Sequence, residues 1–441
     1  MDCPTDHLGT FDPIKFPPAV RLTNTDSIIQ KFELSGKDVK LFMYICNTNT
    51  ILHKMIPRKL STTLLKFAKK YPVVSVTGPR QSGKTTLVRS LFPNHKYLSL
   101  ENPETRIIAL NDPKSFFDPN DQLLILDEIQ HVPELLSYIQ VISDEQKISG
   151  QFILTGSQSL LLSEKISQTL AGRTAILKLL PFSLSEIGKL SQVKGFSYED
   201  FIFKGFFPRT YDKKISPEEF YPFYLETYVQ RDVREIQNVR DLNTFTNFVR
   251  LCAGRTGQLM DYSSLAKDTG VSVSTIKGWI SILEAGYIIF QLYPYYKNYG
   301  KRVIKSPKLY FTDPGLASFL LGIKSAEQLK THYLKGALFE NLIVLELLKH
   351  RFNNGIPQDL WFFRDSNHNE VDVVAENERL QWIEMKSSRT FSPDFLTTFR
   401  FLEKNQDTGK DNKSIVYGGD DTFIHNGFNI VSWKDLDKIS K

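Results

Sequence analysis

One stretch of this chain constrains its fold more than any other: Val-Val-Ser-Val-Thr-Gly-Pro-Arg-Gln-Ser-Gly-Lys-Thr-Thr, residues 73–86. An apolar run leads into the spacing Gly-x-x-x-x-Gly-Lys-Thr, and the apolar pattern of a helix follows. Glycines at positions 78 and 83 let the backbone curl so that successive N–H groups point inward at an anion. The helix that begins near Lys84 adds the positive end of its dipole at the same place. The stretch therefore predicts a strand, a phosphate-binding loop and a helix.

Two residues at the end of this loop have side chains suited to a nucleotide. The Lys84 ammonium reaches the outer phosphates, and the Thr85 hydroxyl is a ligand for the magnesium ion that accompanies them. We therefore predict a site for ATP and Mg²⁺, in which Arg80 is only solvated. The predicted nucleotide-binding residues are Gly78, Pro79, Arg80, Gln81, Ser82, Gly83, Lys84, Thr85 and Thr86.

Length and composition place the chain among ordinary globular proteins. Its 441 residues are enough for two or three domains, and 41% of them are hydrophobic. The net charge of +6 permits contact with nucleic acid without requiring it. The three cysteines show no metal or redox spacing, no apolar run is long enough to cross a membrane, and the N-terminus lacks a signal pattern. We expect a cytoplasmic protein.

The pattern along the chain predicts five segments. Residues 1–54 lack a periodicity able to bury a core, so translation starts either at Met1 or at Met55, with the first 54 residues an upstream extension in the second case. The predicted segments are a poorly structured N-terminal extension (1–54), a P-loop ATPase core (55–187), a helical lid or connector (188–258), a winged-helix module (259–335) and a C-terminal α/β domain (336–441).

The fold class predicted for the core is α/β with a parallel sheet. Strands and helices alternate from Tyr71 to about Ile187, and several strands are near-continuous apolar runs, as in a sheet covered on both faces. The predicted strands are Val73–Thr77, Lys96–Leu100, Leu123–Asp127, Gln151–Thr155 and Ala175–Leu179.

Two carboxylates follow the third of these strands and complete the predicted ATPase site. Asp127 holds the magnesium ion and Glu128 polarises the attacking water, because ligands of such sheets bind at the carboxyl ends of the strands. The hydroxyls of Thr155 and Ser157, after the next strand, lie beside the γ-phosphate. Arg173 is either an arginine finger, which implies an assembly if it acts in trans, or a surface arginine.

Residues 259–311 have the pattern of a helix-turn-helix followed by a hairpin. The second helix, Ser274–Glu284, offers Lys277 and Trp279. The predicted wing carries basic residues among tyrosines, which is typical of contacts with the DNA backbone, although winged helices also pack against proteins. The residues of this wing are Tyr295, Tyr296, Lys297, Tyr299, Lys301, Arg302 and Lys305.

From about Met55 to its end, the chain resembles a family of bacterial and archaeal AAA-type P-loop ATPases whose C-terminal domain is of uncharacterised function. The segments that carry this resemblance are Gly-Pro-Arg-Gln-Ser-Gly-Lys-Thr (78–85), Leu-Asp-Glu-Ile-Gln (126–130), Leu-Thr-Gly-Ser (154–157), Leu-Ala-Gly-Arg (170–173), Leu-Pro-Phe-Ser-Leu-Ser-Glu-Ile (180–187), Tyr-Val-Gln-Arg-Asp-Val (228–233), Phe-Thr-Asp-Pro-Gly-Leu (311–316) and Gly-Ala-Leu-Phe-Glu-Asn (336–341).

The resemblance implies a C-terminal domain similar to a restriction-endonuclease core. Asp372 and Glu384 lie on neighbouring predicted strands and bind a divalent metal in this interpretation. Lys386 shares a strand face with Glu384 and orients or deprotonates a metal-bound water. Glu340 on the preceding helix completes the set, and Arg364 and Glu370 are close in sequence. The alternative is that these residues form an ordinary hairpin whose acidic side chains and lysine face solvent.

These observations support two hypotheses. The first is a cytoplasmic ATPase that couples its nucleotide state to a DNA-directed C-terminal domain, whose nuclease activity is left open. The alternative is an ATP-switched regulatory or binding protein with a catalytically inactive nuclease-like domain. The sequence leaves the oligomeric state open.

Overall fold

The computed structural model describes residues 55–118, 122–157, 166, 168–233, 241–295, 306–365, 368–376, 379–405 and 412–439. The chain divides into two units, residues 1–55 and 56–441, one residue away from the predicted boundary. The predicted extension and the basic wing from Tyr296 to Lys305 lie outside the described residues. Everything below concerns the second unit.

The first part of this unit is a parallel five-stranded sheet with helices around it, as predicted. The strand order is β2-β3-β4-β1-β5, and all pairs run parallel. The strands are β1 (Val73–Thr77), β2 (Lys96–Ser99), β3 (Leu124–Asp127), β4 (Phe152–Gly156) and β5 (Thr174–Lys178). The helices are α1 (Leu60–Ala68), α2 (Lys84–Leu91), α3 (Pro103–Asn111), α4 (Pro113–Phe116) and α5 (Leu135–Gln146).

The burial of the central strands explains their apolar sequences. Every residue of β1, β3 and β4 is buried, whereas β2 at the edge is largely half-buried. Because the strands are parallel, Thr77, Asp127 and Gly156 end them at the same edge of the sheet. This edge is where the predicted ATPase residues come together.

A helical segment follows the sheet. Its helices are α6 (Leu184–Ile187), α7 (Tyr198–Lys204), α8 (Pro208–Asp212), α9 (Pro217–Thr227), a π-helix (Tyr228–Val233), α10 (Leu242–Ala253), α11 (Tyr262–Thr269) and α12 (Val273–Ala285). Side chains cap several N-termini, as Ser197 does for α7 and Asp261 for α11. Gly270 ends α11 in the left-handed conformation that the turn requires.

The two helices of the predicted helix-turn-helix form, but the Trp279 side chain does not lie on an exposed recognition face as predicted. The second helix, α12, buries its apolar face, and Trp279 on that face packs against Phe245 and Phe248 in the core. The prediction that Trp279 is offered for recognition was therefore wrong, since an aromatic residue on the apolar face of a helix packs inward.

The last part of the chain forms a mixed eight-stranded sheet of order β12-β13-β11-β10-β9-β8-β6-β7. Its strands are β6 (Ile289–Pro294), β7 (Lys308–Phe311), β8 (Leu360–Arg364), β9 (Glu370–Glu376), β10 (Leu380–Lys386), β11 (Asn412–Tyr417), β12 (Phe423–His425) and β13 (Phe428–Ser432). The helices of this part are α13 (Pro314–Leu320), α14 (Ala326–Thr331), α15 (Lys335–Asn353) and α16 (Thr397–Asn405).

This sheet crosses the predicted boundary between residues 335 and 336. The hairpin β6–β7 belongs to the predicted winged-helix module, yet Tyr293 and Pro294 of β6 pair with Trp361 and Phe362 of β8. One continuous apolar core also extends from Leu180 to Ile439. Within the described part of the chain, none of the helices has the length and hydropathy needed to cross a membrane.

Candidate functional site

The loop between β1 and α2 has the backbone that the glycine spacing predicts. Gly78 follows β1 directly, and a Cβ at this position would lie 2.1 Å from the carbonyl oxygen of Leu179. Gly83 caps α2 in the left-handed region with φ of 93°. The loop therefore needs glycine at one end for close approach and at the other for its conformation.

Lys84 and Thr85, the first residues of α2, face the loop and the sheet edge. The buried Lys84 ammonium donates to the carbonyl oxygens of Gly78 and Pro79, both at 2.9 Å. The Thr85 hydroxyl donates to the two Asp127 carboxylate oxygens at 3.0 and 3.1 Å. A hydroxyl beside one carboxylate is the protein part of a Mg²⁺ site whose remaining ligands are waters and phosphate oxygens.

The remaining loop residues surround this pair. Pro79 and Ser82 are buried, and the Ser82 hydroxyl has no hydrogen-bond partner among the described residues. Gln81 and Thr86 are exposed. The Ser82 hydroxyl is thus buried without a partner in the described part of the chain, next to Lys84 and the Thr85–Asp127 pair. An anion bound in the loop would supply the missing hydrogen-bond partner.

Asp127 is held by three hydroxyls that come from three elements. Besides Thr85 of α2, Tyr97 of β2 donates at 2.7 Å and Thr155 of β4 also donates. Burial, and then the hydrogen bond to Asp127, raise the pKa of Tyr97 to about 12. Tyr97 therefore keeps its proton at neutral pH and remains a donor. Sequence reasoning missed it, because its pattern is that of an ordinary strand.

Glu128 has a strained backbone and a carboxylate with fixed partners. Its φ and ψ of 58° and 51° are left-handed, which is uncommon for glutamate. Gln130 and Ser157 donate to one carboxylate oxygen, and the Glu128 N–H donates to Thr155. Burial alone raises the pKa of Glu128, but Lys84 and these donors outweigh it and hold the pKa below its ordinary value. The carboxylate is thus kept ionised next to the loop.

Of the two arginines of the predicted site, Arg80 lies near this centre, where its charge helps to lower the pKa of Glu128, and Arg173 lies apart from it. Arg80 is not only solvated, since it is partly buried with its guanidinium 4.0 Å from the Glu101 carboxylate. Arg173 precedes β5, at the edge where β1 begins, and forms a bidentate ion pair with Asp144. The five residues of β1 separate it from Gly78 by roughly 16 Å. An arginine-finger role for Arg173 therefore remains a prediction for an assembly of chains only.

The loop also accepts a hydrogen bond from Arg58, a residue that the sequence did not single out. The buried guanidinium of Arg58 donates to the carbonyl oxygens of Ser82 at 2.7 Å and Leu180 at 2.6 Å, and it pairs with Glu186. Glu186 lies in one of the segments that carry the family resemblance, but nothing local in the sequence links it to Arg58.

The C-terminal carboxylates meet as predicted from their strands. Glu384 of β10 and Asp372 of β9 lie on adjacent antiparallel strands, one residue beyond the last register pair. Asp372 accepts a hydrogen bond from the Met385 N–H at 2.8 Å, and Lys386 donates to Glu384 at 2.7 Å. The structure thus brings together Asp372, Glu384 and Lys386.

A second lysine, from the neighbouring hairpin, enters the same cluster. The Lys308 side chain of β7 is 3% exposed, and its ammonium lies 3.0 Å from Glu340, 2.5 Å from Glu370 and 3.9 Å from Asp372. Arg364 pairs with Glu370 at 3.2 Å. The cluster is therefore a partly buried network of opposite charges around the buried Lys308, and its acids are paired and not fully solvated.

Burial, and then like charges held close together, shift the pKa values of two acids in this network. Burial, and then the charge of Asp372, raise the pKa of Glu384 to about 8 and that of Glu340 to about 7. Burial lowers the pKa of Lys308, but the carboxylates around it outweigh this effect and raise it. In the described residues, no three His, Cys, Asp or Glu side chains are arranged as a metal cage. A divalent ion at the Asp372–Glu384 pair therefore stays a prediction.

Three family models match this chain. Residues 70–188 match the AAA domain, residues 195–327 match a domain of unknown function (DUF8612), and residues 335–436 match a domain of unknown function (DUF4143). The phosphate loop, the carboxylates after β3 and the first match together define a P-loop ATPase-like domain of the AAA type. The third match does not test the predicted endonuclease-like core, which stays a prediction.

Similar proteins occur in bacteria and archaea. An uncharacterized protein of Mycobacterium tuberculosis is 27% identical over 371 residues, which cover 83% of this chain and 81% of the relative. An uncharacterized protein of Methanocaldococcus jannaschii is 25% identical over 394 residues, with 82% and 83% covered. Among solved structures, the Walker-type ATPase of Pyrococcus abyssi has a TM-score of 0.41 and 15% identity, and the alignment covers 63% of this chain and 99% of that chain.

Proposed function

We propose that this protein binds ATP with Mg²⁺ at the β1–α2 loop and hydrolyses it in the cytoplasm. One observation carries the proposal: Lys84, Thr85, Asp127 and Glu128 lie at one sheet edge, where hydroxyls from α2, β2 and β4 donate to Asp127 and the side chains of Gln130 and Ser157 donate to Glu128. This arrangement provides a cation for the phosphates, a magnesium pair and an ionised base.

Each residue has a distinct part in the proposed reaction. Lys84 exchanges its bonds to the loop carbonyls for phosphate oxygens, and Thr85 and Asp127 hold the ion. Bound Mg²⁺ would neutralise negative charge on the phosphates. Glu128 orients a water for attack on the γ-phosphorus and accepts its proton, while the bond from phosphorus to the bridging oxygen breaks. The products are ADP and inorganic phosphate.

The test is ATP turnover and binding by wild type, Lys84→Ala and Glu128→Gln. Glu128→Gln keeps the shape but loses the base, so we expect turnover to fall about 10²-fold or more with ATP affinity retained. Lys84→Ala should weaken binding itself. Lys114→Ala, at an exposed lysine of α4, is the control that should match wild type. Equal turnover by Glu128→Gln and wild type would contradict the assigned role of Glu128, and absence of ATP binding by wild type would refute the function.

A second activity, cleavage of DNA phosphodiesters under the control of the nucleotide state, is favoured by the pair of carboxylates on β9 and β10. Asp372 and Glu384 would hold a divalent ion, and Lys386 would orient or deprotonate the attacking water. A nicking assay with ATP and Mg²⁺ or Mn²⁺ tests this proposal. Wild type should nick plasmid DNA and Asp372→Ala should not. No nicking by wild type under any condition would leave the alternative, a regulatory protein switched by ATP, whose carboxylates are neutralised by Lys308 and Lys386.

The DNA-directed hypothesis and the regulatory alternative predict different responses of the ATPase to DNA. If the helix-turn-helix and the C-terminal sheet act on DNA under control of the nucleotide, then DNA should change ATP affinity, because coupling between two binding sites is reciprocal, and we expect it to stimulate ATP turnover as well. Neutralising Lys301, Arg302 and Lys305 should then abolish salt-sensitive DNA binding. An ATPase rate that is indifferent to DNA, together with unchanged DNA affinity of the triple variant, would favour a protein partner.

A further inference from the structure

The last residue of β1 is bonded to a side chain far along the chain. Thr77 directly precedes Gly78, and its hydroxyl lies 2.7 Å from the Tyr287 hydroxyl, 210 residues later in the sequence. Both residues are buried. The Thr77 hydroxyl also makes a long contact of 3.4 Å with the carbonyl oxygen of Leu177. Thr77, the residue just before the phosphate loop, is therefore held by a hydrogen bond to Tyr287, in the part of the chain that follows α12.

The backbone around Tyr287 is held in a conformation that a tyrosine rarely adopts. Its φ is 55°, in the left-handed region. The preceding Gly286 leaves no room for a side chain, because a Cβ there would lie 2.5 Å from the Tyr228 ring. On the other side, the Thr312 hydroxyl donates to the Tyr287 carbonyl oxygen. A strained turn persists only where its surroundings determine it, and here packing and a hydrogen bond do so.

This turn joins three parts of the protein. It connects α12, the second helix of the helix-turn-helix, to β6, which pairs with β8 in the mixed sheet. The Tyr287 ring also borders a cavity of about 470 Å³ lined in part by Lys178 of β5 and Trp361 of β8. The hydroxyl of one residue thus links the phosphate loop to both the helix pair and the mixed sheet, and the ring has open space beside it.

We propose that Tyr287 is a positioning residue for the phosphate loop, acting through Thr77. Its hydroxyl fixes the end of β1 and with it the direction in which the Gly78 backbone leaves the sheet. A ligand that shifts α12 or β6 changes this bond, and nucleotide binding in turn changes the turn at Tyr287. The inference rests on the proposed ATP site. It assigns the Tyr287–Thr77 hydrogen bond as the contact that couples this site to α12 and β6.

A double-mutant cycle on Thr77→Val and Tyr287→Phe tests the proposal. Each change removes one hydroxyl with little change of shape. We expect the dissociation constant and KM for ATP to rise roughly three- to tenfold in each single variant, as for one lost hydrogen bond. Because Lys84 and Glu128 are untouched, kcat should stay within about twofold. The double variant should be no worse than either single one, since both remove the same bond.

Two further variants separate positioning from folding. Thr77→Ser keeps the hydroxyl and should behave as wild type. Tyr417→Phe, at the end of β11 and four strands away from β6 in the mixed sheet, removes another hydroxyl of a buried tyrosine, which donates to the Asp421 carbonyl oxygen. It should leave ATP affinity unchanged even if it lowers stability, which urea unfolding of every variant measures.

The outcomes distinguish this inference from the proposed function. Additive effects in the cycle, or an unchanged ATP affinity in Tyr287→Phe, would overturn the role of Tyr287 while wild type still hydrolyses ATP. An equal loss of affinity in Tyr417→Phe would reduce Tyr287 to a structural residue. Failure of wild type to bind ATP would refute the proposed function, and the role of Tyr287 with it.

Discussion

A single carboxylate, that of Asp127, collects hydroxyl donors from α2, β2 and β4. Thr85, Tyr97 and Thr155 together fix the positions of both of its oxygens. A carboxylate fixed in this way does not have to reorganise when a cation arrives, so affinity for the cation is gained through preorganisation. The donors are hydroxyls and not cations, which leaves the negative charge of Asp127 available.

At the same scale, Gly78 is predicted to tolerate no side chain. In Gly78→Ala the new methyl group would meet the Leu179 carbonyl oxygen, so the loop must move away from β5. We expect ATP affinity to fall more than tenfold and the free energy of unfolding to fall by about 1–3 kcal/mol. Equilibrium binding and urea unfolding measure the two effects.

The matched control for this change is Gly172→Ala. Gly172 also has a positive φ, of 73°, but no atom lies within 4 Å of the position that a Cβ would occupy there. Only backbone strain acts at this glycine, so a loss of about 1 kcal/mol in stability with unchanged ATP affinity is expected. A similar loss of ATP affinity in both variants would show that the clash at Gly78 is unimportant.

At the scale of elements, the long helix α15 binds the first sheet to the helical segment through a buried ion pair. Lys349 donates to Glu346 at 2.9 Å and to the Phe182 carbonyl oxygen at 2.7 Å. Glu346 in turn accepts from the Leu184 N–H at 2.8 Å. The chain between β5 and α6 is thus fixed to α15 by charged groups that are removed from water.

Removing one partner of this pair is predicted to cost more than removing both. Glu346→Gln leaves the Lys349 ammonium buried without its counter-charge, and we expect a loss of about 3–5 kcal/mol in the free energy of unfolding. The double variant Glu346→Gln, Lys349→Met should recover part of this loss. Urea denaturation of the three proteins measures it. A double variant less stable than Glu346→Gln would show that the bond from Lys349 to Phe182 matters more than the charge.

At the scale of the whole molecule, residues 56–441 contain their own cores and sheets. We therefore predict that a chain beginning at Met55 retains the thermal stability and ATP affinity of the full chain. Calorimetry and equilibrium binding on both proteins test this prediction. A lower melting temperature or a weaker ATP affinity in the shorter chain would show that residues 1–54 belong to the folded protein.

The sequence predicted the parallel sheet and the phosphate loop better than the contacts around them, for a physical reason. The strands β1, β3 and β4 are buried on both faces and so are apolar throughout, and the loop needs its glycines and Lys84 at fixed spacing. Contacts such as those of Arg58 with Ser82 or Tyr97 with Asp127 join separate elements and leave no local pattern.

The same limit explains why the packing of α12 and the continuity of the mixed sheet were not predicted. Lysine and tryptophan on α12 have the composition of a recognition surface, but the tertiary packing that buries Trp279 is not visible in a periodicity. The pairing of β6 with β8 joins segments more than sixty residues apart, so a boundary between two modules was predicted inside one sheet.

That shared sheet limits how this protein can be divided. A cut between residues 335 and 336 would separate β6 and β7 from β8 and leave an unpaired strand edge on each fragment. Open edges recruit other strands, so both pieces would be prone to aggregate instead of folding as smaller proteins.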